Sequence, residues 1–376
     1  MKNEISSLEL YYLIKELKVV EGSKIDRIYN SKENSKELII GCHMTGKGKI
    51  LLRILLPSII FLDDTKDSAG TPTGFGMMLR KYLEGGRIRN IEQKDFERVV
   101  IIDIETKVES ELVNYHLIIE LFSKGNMIFC DDNFKILNIV EEQKWKDRIL
   151  KRQEIYKYPQ SSSNILTIQE NEFIEKLKAS NKESLVKALA ITFNLGGTYA
   201  EELCYVSKIE KNETIKTLSE KKYLELYKDV ILLLHKEPKA NASKDNIFPF
   251  ILESYKDSFE KEYKTFSDAI RENYDRLMHQ ESKKDSNKEI EKIQNIIAEQ
   301  IKLLEECEEG YTENQKKGEI LYEKYQEVDT ILKTIKEART KYSWITIKQK
   351  LNENPKFKKT LKDIDEKTNS IIIEID

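Results

Sequence analysis

Residues 77–88 read MMLRKYLEGGRI. Residues 77–84 are mostly good helix formers, and the run stops at Gly85 and Gly86, where a helix C-terminus favours a left-handed residue. Beyond the glycines the period changes from helix to strand: residues 87–92, 97–105, 115–122, 126–130 and 135–140 are short apolar runs rich in Ile, Val and Tyr. The stretch NMIFCDDNFKILNIV (126–140) reads as a hairpin by itself, with Asp132 and Asn133 at its turn. Upstream, KIDRIYN (24–30), ELIIGCH (37–43), KILLRIL (49–55) and SIIFL (58–62) give four more strands, and the turn-forming SAGTPTGFG (68–76) leads into the helix. An amphipathic helix over residues 5–20, with Ser6 or Ser7 as N-cap, opens the chain. The first 140 or so residues therefore form an α+β unit.

The text changes after residue 140. Residues 144–158 (KWKDRILKRQEIYKY) are basic and run into PQSSSN (159–164), where a boundary is expected. Residues 168–235 are helical throughout, broken at Asn, Gly-Gly and Lys-Asn, and predict a small bundle. Residues 238–250 interrupt the helices, IFPFILESY reads as a short extended piece, and helix resumes near Ser267. From residue 286, Ile293, Ile297, Gln300, Leu304, Cys307, Tyr311, Asn314, Gly318, Leu321, Tyr325, Val328, Leu332 and Ile335 alternate in fours and threes, the spacing of a heptad seam. At about 1.5 Å per residue this arm would reach on the order of 80 Å. Helix is expected to end near Arg339, followed by WITIKQKL and an unpaired apolar strand, IIIEID, so the chain looks cut short. The predicted fold class is α+β and multidomain.

A chain of 376 residues is too long for one ordinary domain, and 39% hydrophobic residues with 18 Tyr and 13 Phe suffice for real cores. The net charge of −3 means that a polyanion would have to be held by local basic patches. Four cysteines and four histidines stand far apart with no CxxC spacing, so no zinc site or cofactor is readable. No signal peptide and no long uncharged apolar window occur, which predicts cytoplasmic residence with reduced thiols and no membrane partner.

Three basic or glycine-rich places have the chemistry to hold phosphate. Arg80, Lys81, Arg87 and Arg89 surround the Gly85-Gly86 turn, whose glycines equally serve as a plain helix stop. Lys144, Lys146, Arg148, Lys151 and Arg152, with Trp145 and Tyr156 interleaved, offer charge and stacking surface for RNA; the alternative is a solvated amphipathic linker. Gly196 and Gly197 in NLGGT (194–198) lie between two helical segments, where a hairpin presents backbone amides to a phosphate or serves only as scaffold.

Several segments in order, SSLELYYLIKELK (6–18), IDRIY (25–29), MMLRKYLEGGRI (77–88), QKDFERVV (93–100), LFSKGNMIFCDD (121–132) and LVKALAITFNLGGTYAEELC (185–204), resemble the NFACT family. These are ribosome quality-control proteins whose bacterial members were first labelled fibronectin-binding proteins; the SKGN and DFER phrases look archaeal or eukaryotic. The resemblance implies an NFACT head at 1–165 and 238–270, an inserted helix-hairpin-helix domain at 166–237, a coiled-coil arm at 271–340 and the start of a middle domain at 341–376. The family's return helix and C-terminal RNA-binding domain find no counterpart in these residues.

The function so implied is binding of large ribosomal subunits obstructed by peptidyl-tRNA and recruitment of tRNA, usually alanyl-tRNA, for untemplated C-terminal tailing. A ubiquitin ligase or other quality-control factor held through the coil is a further implied partner. The family's tRNA-handling Asp and Asp-Arg pair match Glu9, Glu97 and Arg98, so both acids depart from Asp by one methylene. The bland reading of Glu97-Arg98 is an exposed strand pair: adjacent strand residues face opposite ways, and both meet one ligand only at a strand end or bulge. A head followed by helix-hairpin-helix is also similar in plan to formamidopyrimidine-type DNA glycosylases, but the chain begins Met1-Lys2, lacks a proline nucleophile and a zinc finger, and carries no other catalytic motif. No enzyme activity is expected. The competing reading is a ribosome-binding scaffold that does not recruit tRNA.

Overall fold

The structure is a computed structural model. It describes residues 4–375 except 33, 45, 47, 66–69, 161–162, 244–245, 354–360, 366–367 and 369, with the backbone alone at 279–289, 351–353, 361 and 364. The chain divides into two compact units, Met1–His279 and Gln280–Asp376.

The first unit opens on helix α1 (Ser7–Leu17), started by a capping box: the Ser6 hydroxyl accepts from the Glu9 amide and the Glu9 carboxylate accepts from the Ser6 amide. Strands β1 (Lys24–Tyr29), β2 (Glu37–Met44), β3 (Gly48–Leu55) and β4 (Ile59–Asp63) follow as an antiparallel meander. Helix α2 (Gly74–Leu83), capped by Thr73, is three residues longer at its start than its apolar pattern predicts. Next come β5 (Arg87–Gln93), β6 (Val99–Val108), β7 (Glu111–Glu120), β8 (Asn126–Asp131) and β9 (Ile136–Ile139).

All nine strands form one sheet in the order β4-β3-β2-β1-β5-β6-β7-β8-β9, so the single departure from sequence order is the β1–β5 pair that α2 bridges. The glycines after α2 make that pairing. The Gly85 amide donates to the Ile25 carbonyl and the Gly86 carbonyl accepts from the Ile25 amide. Gly85 is left-handed at φ +88, and a Cβ on Gly86 would stand 2.9 Å from the Glu105 carbonyl oxygen. The stretch read first in the sequence thus joins the two halves of the sheet. Leu10, Leu13, Ile14 and Leu17 of α1 and Phe75, Leu79 and Leu83 of α2 share its main core.

Residues 143–150 form a small hairpin, β10 (Gln143–Lys144) with β11 (Ile149–Leu150), not an amphipathic linker. Helices α3 (Glu170–Lys178), α4 (Leu185–Thr192), α5 (Gly197–Val206) and α6 (Glu220–Leu234) pack around Phe173, Leu189, Tyr199 and Leu226. That core is continuous with Leu8 and Tyr12 of α1 and with Phe96, so the helices are built onto the opening helix. Part of the expected linker, Ser161 and Ser162, lies outside the described residues, as do Ser68 and Ala69 of the earlier turn stretch. Strands β12 (Asn241–Ser243), β13 (Asn246–Phe248) and β14 (Phe259–Glu262) form a second sheet.

Helix α7 (Phe266–Glu323) starts one residue before the expected Ser267, with Glu16 accepting from the Phe266 and Ser267 amides. In the second unit helix α8 (Tyr325–Lys341) is followed by α9 (Trp344–Glu353). This corrects the expectation that helix ends for good near Arg339. The β-branched WITIKQKL looks extended, yet the Ser343 carbonyl accepts from the Ile347 amide and Ile347 is buried. The closing strand is not unpaired: β15 (Leu361–Asp365) pairs with β16 (Ser370–Ile373). The predicted seam residues Ile293, Ile297, Leu304, Tyr311, Leu321 and Leu332 are exposed and Ile335 is buried, together with Ile331, which lies outside the predicted seam. No helix is long and apolar enough among the described residues to cross a membrane.

Candidate nucleic-acid interface

A cleft of about 330 Å³ opens where α1 begins and α5 begins, lined by Glu4 to Ser7, Arg98, Ala190 and Asn194 to Tyr199. It brings together two groups that the sequence places nearly a hundred residues apart, Arg98 and the Gly196-Gly197 tip.

The tip is made by conformation. Asn194 is left-handed at φ 53 and Gly196, the N-cap of α5, at φ 76, and no side chain caps that helix. A helix start carries partial positive charge on its first amides, and residues at the starts of α1 and α5 line this one cleft, the Ser6 and Glu9 amides of α1 being bonded in the capping box. Anionic groups are favoured at such a place.

Arg98 reaches it from a strained turn. Asp95 and Phe96, consecutive and not glycine, are left-handed at φ 46 and φ 61, at a cost on the order of 1–2 kcal/mol each. What holds them is the burial of the Phe96 ring in the helical core and Gln93, whose Nε2 donates to the carbonyls of Ser7 and Glu97. Glu97 and Arg98 thereby stand in the turn just before β6, the strand-end placement that two adjacent residues need to meet one ligand. The Arg98 guanidinium is partly exposed and pairs with the more exposed carboxylate of Glu4 at 2.9 Å. An anion entering the cleft would compete with Glu4 for it.

Glu9 requires a correction. Its side chain has no exposed surface: one oxygen accepts from the Ser6 amide at 2.8 Å and the other from the Tyr199 hydroxyl at 2.7 Å. It does not touch a ligand in this arrangement; it ties the first turn of α1 to the first turn of α5. Burial, with the Glu9 charge next, pushes the Tyr199 hydroxyl well above its ordinary pKa, which keeps it a donor.

The basic segment is corrected at Arg148. That guanidinium is buried and forms a two-pronged pair with the equally buried Glu120, at 2.5 and 3.0 Å. The Tyr156 hydroxyl donates to the same carboxylate at 2.8 Å, and Arg148 stands 4.4 Å from the Trp145 ring centre. Tyr156 is thus buried and anchors the segment to the sheet, while Trp145 is half-buried beside the Arg148 guanidinium. Lys144, Lys146, Lys151 and Arg152 remain exposed, Lys151 beside Glu154. Around the glycine turn, Arg80 donates to the Ile28 carbonyl, Arg87 to the Gly22 carbonyl and Arg89 to Glu105, while Lys81 lies over the Tyr82 ring. Among the described residues no His, Cys, Asp and Glu cluster has the make-up of a metal site.

Sequence reasoning missed Glu4, Ser6 and Tyr199 as cleft residues. Ser6 was legible, since Ser6 and Glu9 have capping-box spacing; the Tyr199 contact carries no local signal.

The fold of this unit recurs in the N-terminal part of the fibronectin/fibrinogen-binding protein from Streptococcus suis (TM-score 0.61, 20% identity, 72% of this chain and 99% of that one). The Staphylococcus aureus fibrinogen-binding protein is similar at TM-score 0.60 and 20% identity, over 70% and 97% of the two chains. By sequence, the chain is 30% identical over 399 residues to the archaeal Rqc2 homologue aRqcH of Methanocaldococcus jannaschii, covering all of this chain and 58% of that protein. It is 22% identical to the human ribosome quality control complex subunit NEMF, over 90% of this chain and 34% of NEMF. The chain thus spans less than two thirds of the length of the archaeal and human relatives. Residues 6–369 match the model for NFACT N-terminal and middle domains, and the chain belongs to that family.

Proposed function

We propose that this protein is a ribosome quality-control factor without chemistry of its own, which binds large ribosomal subunits obstructed by peptidyl-tRNA and recruits tRNA, alanyl-tRNA in particular, for untemplated tailing of the stalled chain. The observation that carries the reading is the cleft in which Arg98 meets the starts of α1 and α5, a place built for an anionic group such as an RNA phosphate. The names of the archaeal and human relatives support the ribosomal setting. The test is reconstitution: purified protein, obstructed large subunits and alanyl-tRNA should give C-terminal alanine tails, and the Arg98→Ala protein should give none.

One observation favours a scaffold that grips the ribosome without recruiting tRNA. Glu9 is buried and Arg98 is already paired with Glu4, so these residues matched to tRNA handling are engaged within the chain. Retained subunit binding with no tailing by the wild-type protein would select this reading.

A further inference from the structure

The outward face of the sheet carries an arrangement that the cleft does not use. Residues paired directly across an antiparallel ladder share a face. Lys49 pairs with His43, His43 with Lys24, and Lys24 with Arg87, which sets four basic side chains in one row across β3, β2, β1 and β5. All four are exposed. Three strand-to-strand steps give the row a length of about 14 Å. Arg27, opposite Gly41 and so on the His43 face, and Arg89 lie beside it.

Three acids of this face have cationic partners, Asp26 with Lys49 at 3.2 Å, Glu105 with Arg89, and Asp103 with His116 at 2.7 Å, while Glu92 accepts from the Asn90 side-chain amide. Among the described residues no carboxylate forms an ion pair with Lys24, Arg27 or Arg87, although Glu105, which binds Arg89, stands opposite Arg87 on β6. Like charges directly opposite on neighbouring strands destabilise a sheet, and Lys24 stands opposite Arg87. Arg87 gains a hydrogen bond to the Gly22 carbonyl there, but Lys24 gains no such partner from the juxtaposition, and an anion laid across the row relieves the repulsion. The protein's net charge is −3, so the positive potential here is local.

We infer that this row is an RNA-binding surface that takes the phosphate backbone of a duplex, separate from the cleft at Arg98. A polyphosphate backbone suits it better than an acidic protein. Protein interfaces place apolar and aromatic side chains at a charge-depleted centre, and none of the exposed large apolar residues falls within β1, β2, β3 or β5. Interfaces with nucleic acid are positively charged and polar throughout. The inference rests on the reading that this protein binds RNA but not on the cleft, so the two are tested apart.

The experiment uses the whole chain, a labelled RNA duplex of about 16 base pairs, which has the shape of A-form RNA without a loop, and unacylated tRNA, each across a salt series. Lys24→Ala/Arg87→Ala should weaken duplex binding several-fold and lower the slope of log K against log salt by about one to two, as expected for lost phosphate contacts. Lys24→Arg/Arg87→Lys should restore both, and the melting temperature of the alanine variant should stay close to that of the wild type, relief of the repulsion offsetting the lost Arg87–Gly22 hydrogen bond. Arg98→Ala should leave duplex binding unchanged. An unchanged slope in Lys24→Ala/Arg87→Ala overturns the row. So does tighter binding of a polyglutamate peptide of equal charge. Loss of tRNA binding in Arg98→Ala alone supports the cleft without the row, and loss in the double variant alone supports the row without the cleft.

Discussion

The Tyr199 hydroxyl donates to the Glu9 carboxylate at 2.7 Å across 190 residues of chain, and both side chains are fully buried. The contact joins the start of α1 to the start of α5, and with them the two amide-bearing ends that face the Arg98 cleft. Tyr199→Phe leaves a buried carboxylate short of one donor, so unfolding free energy should fall by about 1–3 kcal/mol in urea titration. Glu9→Asp keeps the charge but draws it back by one methylene, and should lose either the Ser6 amide or the Tyr199 hydroxyl at similar cost. No change in either variant would remove Glu9 as the tie between the helices.

Arg148 and Glu120 form a buried ion pair against the sheet, with Tyr156 as third partner. Arg148→Met strands the Glu120 charge and should cost about 3–5 kcal/mol, much of it recovered in Arg148→Met/Glu120→Leu. RNA affinity of the folded variants should stay within a factor of two, because the guanidinium reaches no ligand. A stable Arg148→Met protein with weakened RNA binding would return this residue to the interface.

His116 and Asp103, 2.7 Å apart on β7 and β6, make stability depend on pH in a defined window. The hydrogen bond that the imidazole donates to Asp103, with the Asp103 charge, holds His116 above its ordinary 6.5, burial opposing. Burial alone would raise Asp103, but hydrogen bonds from His116 and Asn90 and the His116 charge outweigh it and hold the carboxyl below its ordinary 3.8. A raised imidazole stabilises fully below 6.5 and loses that as pH rises through its folded value; a lowered carboxyl stabilises fully above 3.8 and loses that as pH falls through its folded value. The pair should therefore contribute most between 3.8 and 6.5 and fade on both sides. Unfolding free energy of wild type minus His116→Gln, measured across pH, should show that maximum. A flat difference would mean that the pair does not form.

The strands were legible because they alternate or run apolar within a few residues, and the Gly85-Gly86 stop was legible because a positive φ leaves a glycine behind. Residues that face inward for reasons of pairing were not. Arg148 and Lys146 look alike in sequence; only the position of Glu120, 28 residues earlier on the neighbouring sheet, makes one a buried anchor and leaves the other exposed. The left-handed turn at Asp95 and Phe96 was equally silent, since it is held by a core that forms from residues 165 to 252. The heptad spacing of α7 was plain, but periodicity says that a stripe exists and not what covers it, and residues 290–321 of that stripe are exposed. At the cleft, Arg98 and Gly196-Gly197 were each singled out separately; that they face one another is a tertiary fact.

The central claim is that the Arg98 cleft holds tRNA, and the measurement that tests it most directly is tRNA binding by the whole chain across a salt series, wild type against Arg98→Ala. Binding in the micromolar range or tighter that weakens with salt in the wild type, with a fall of about tenfold in the variant, is the predicted result. Equal affinity and equal salt slope for the two proteins would contradict it and leave the ribosome-bound scaffold as the reading that stands.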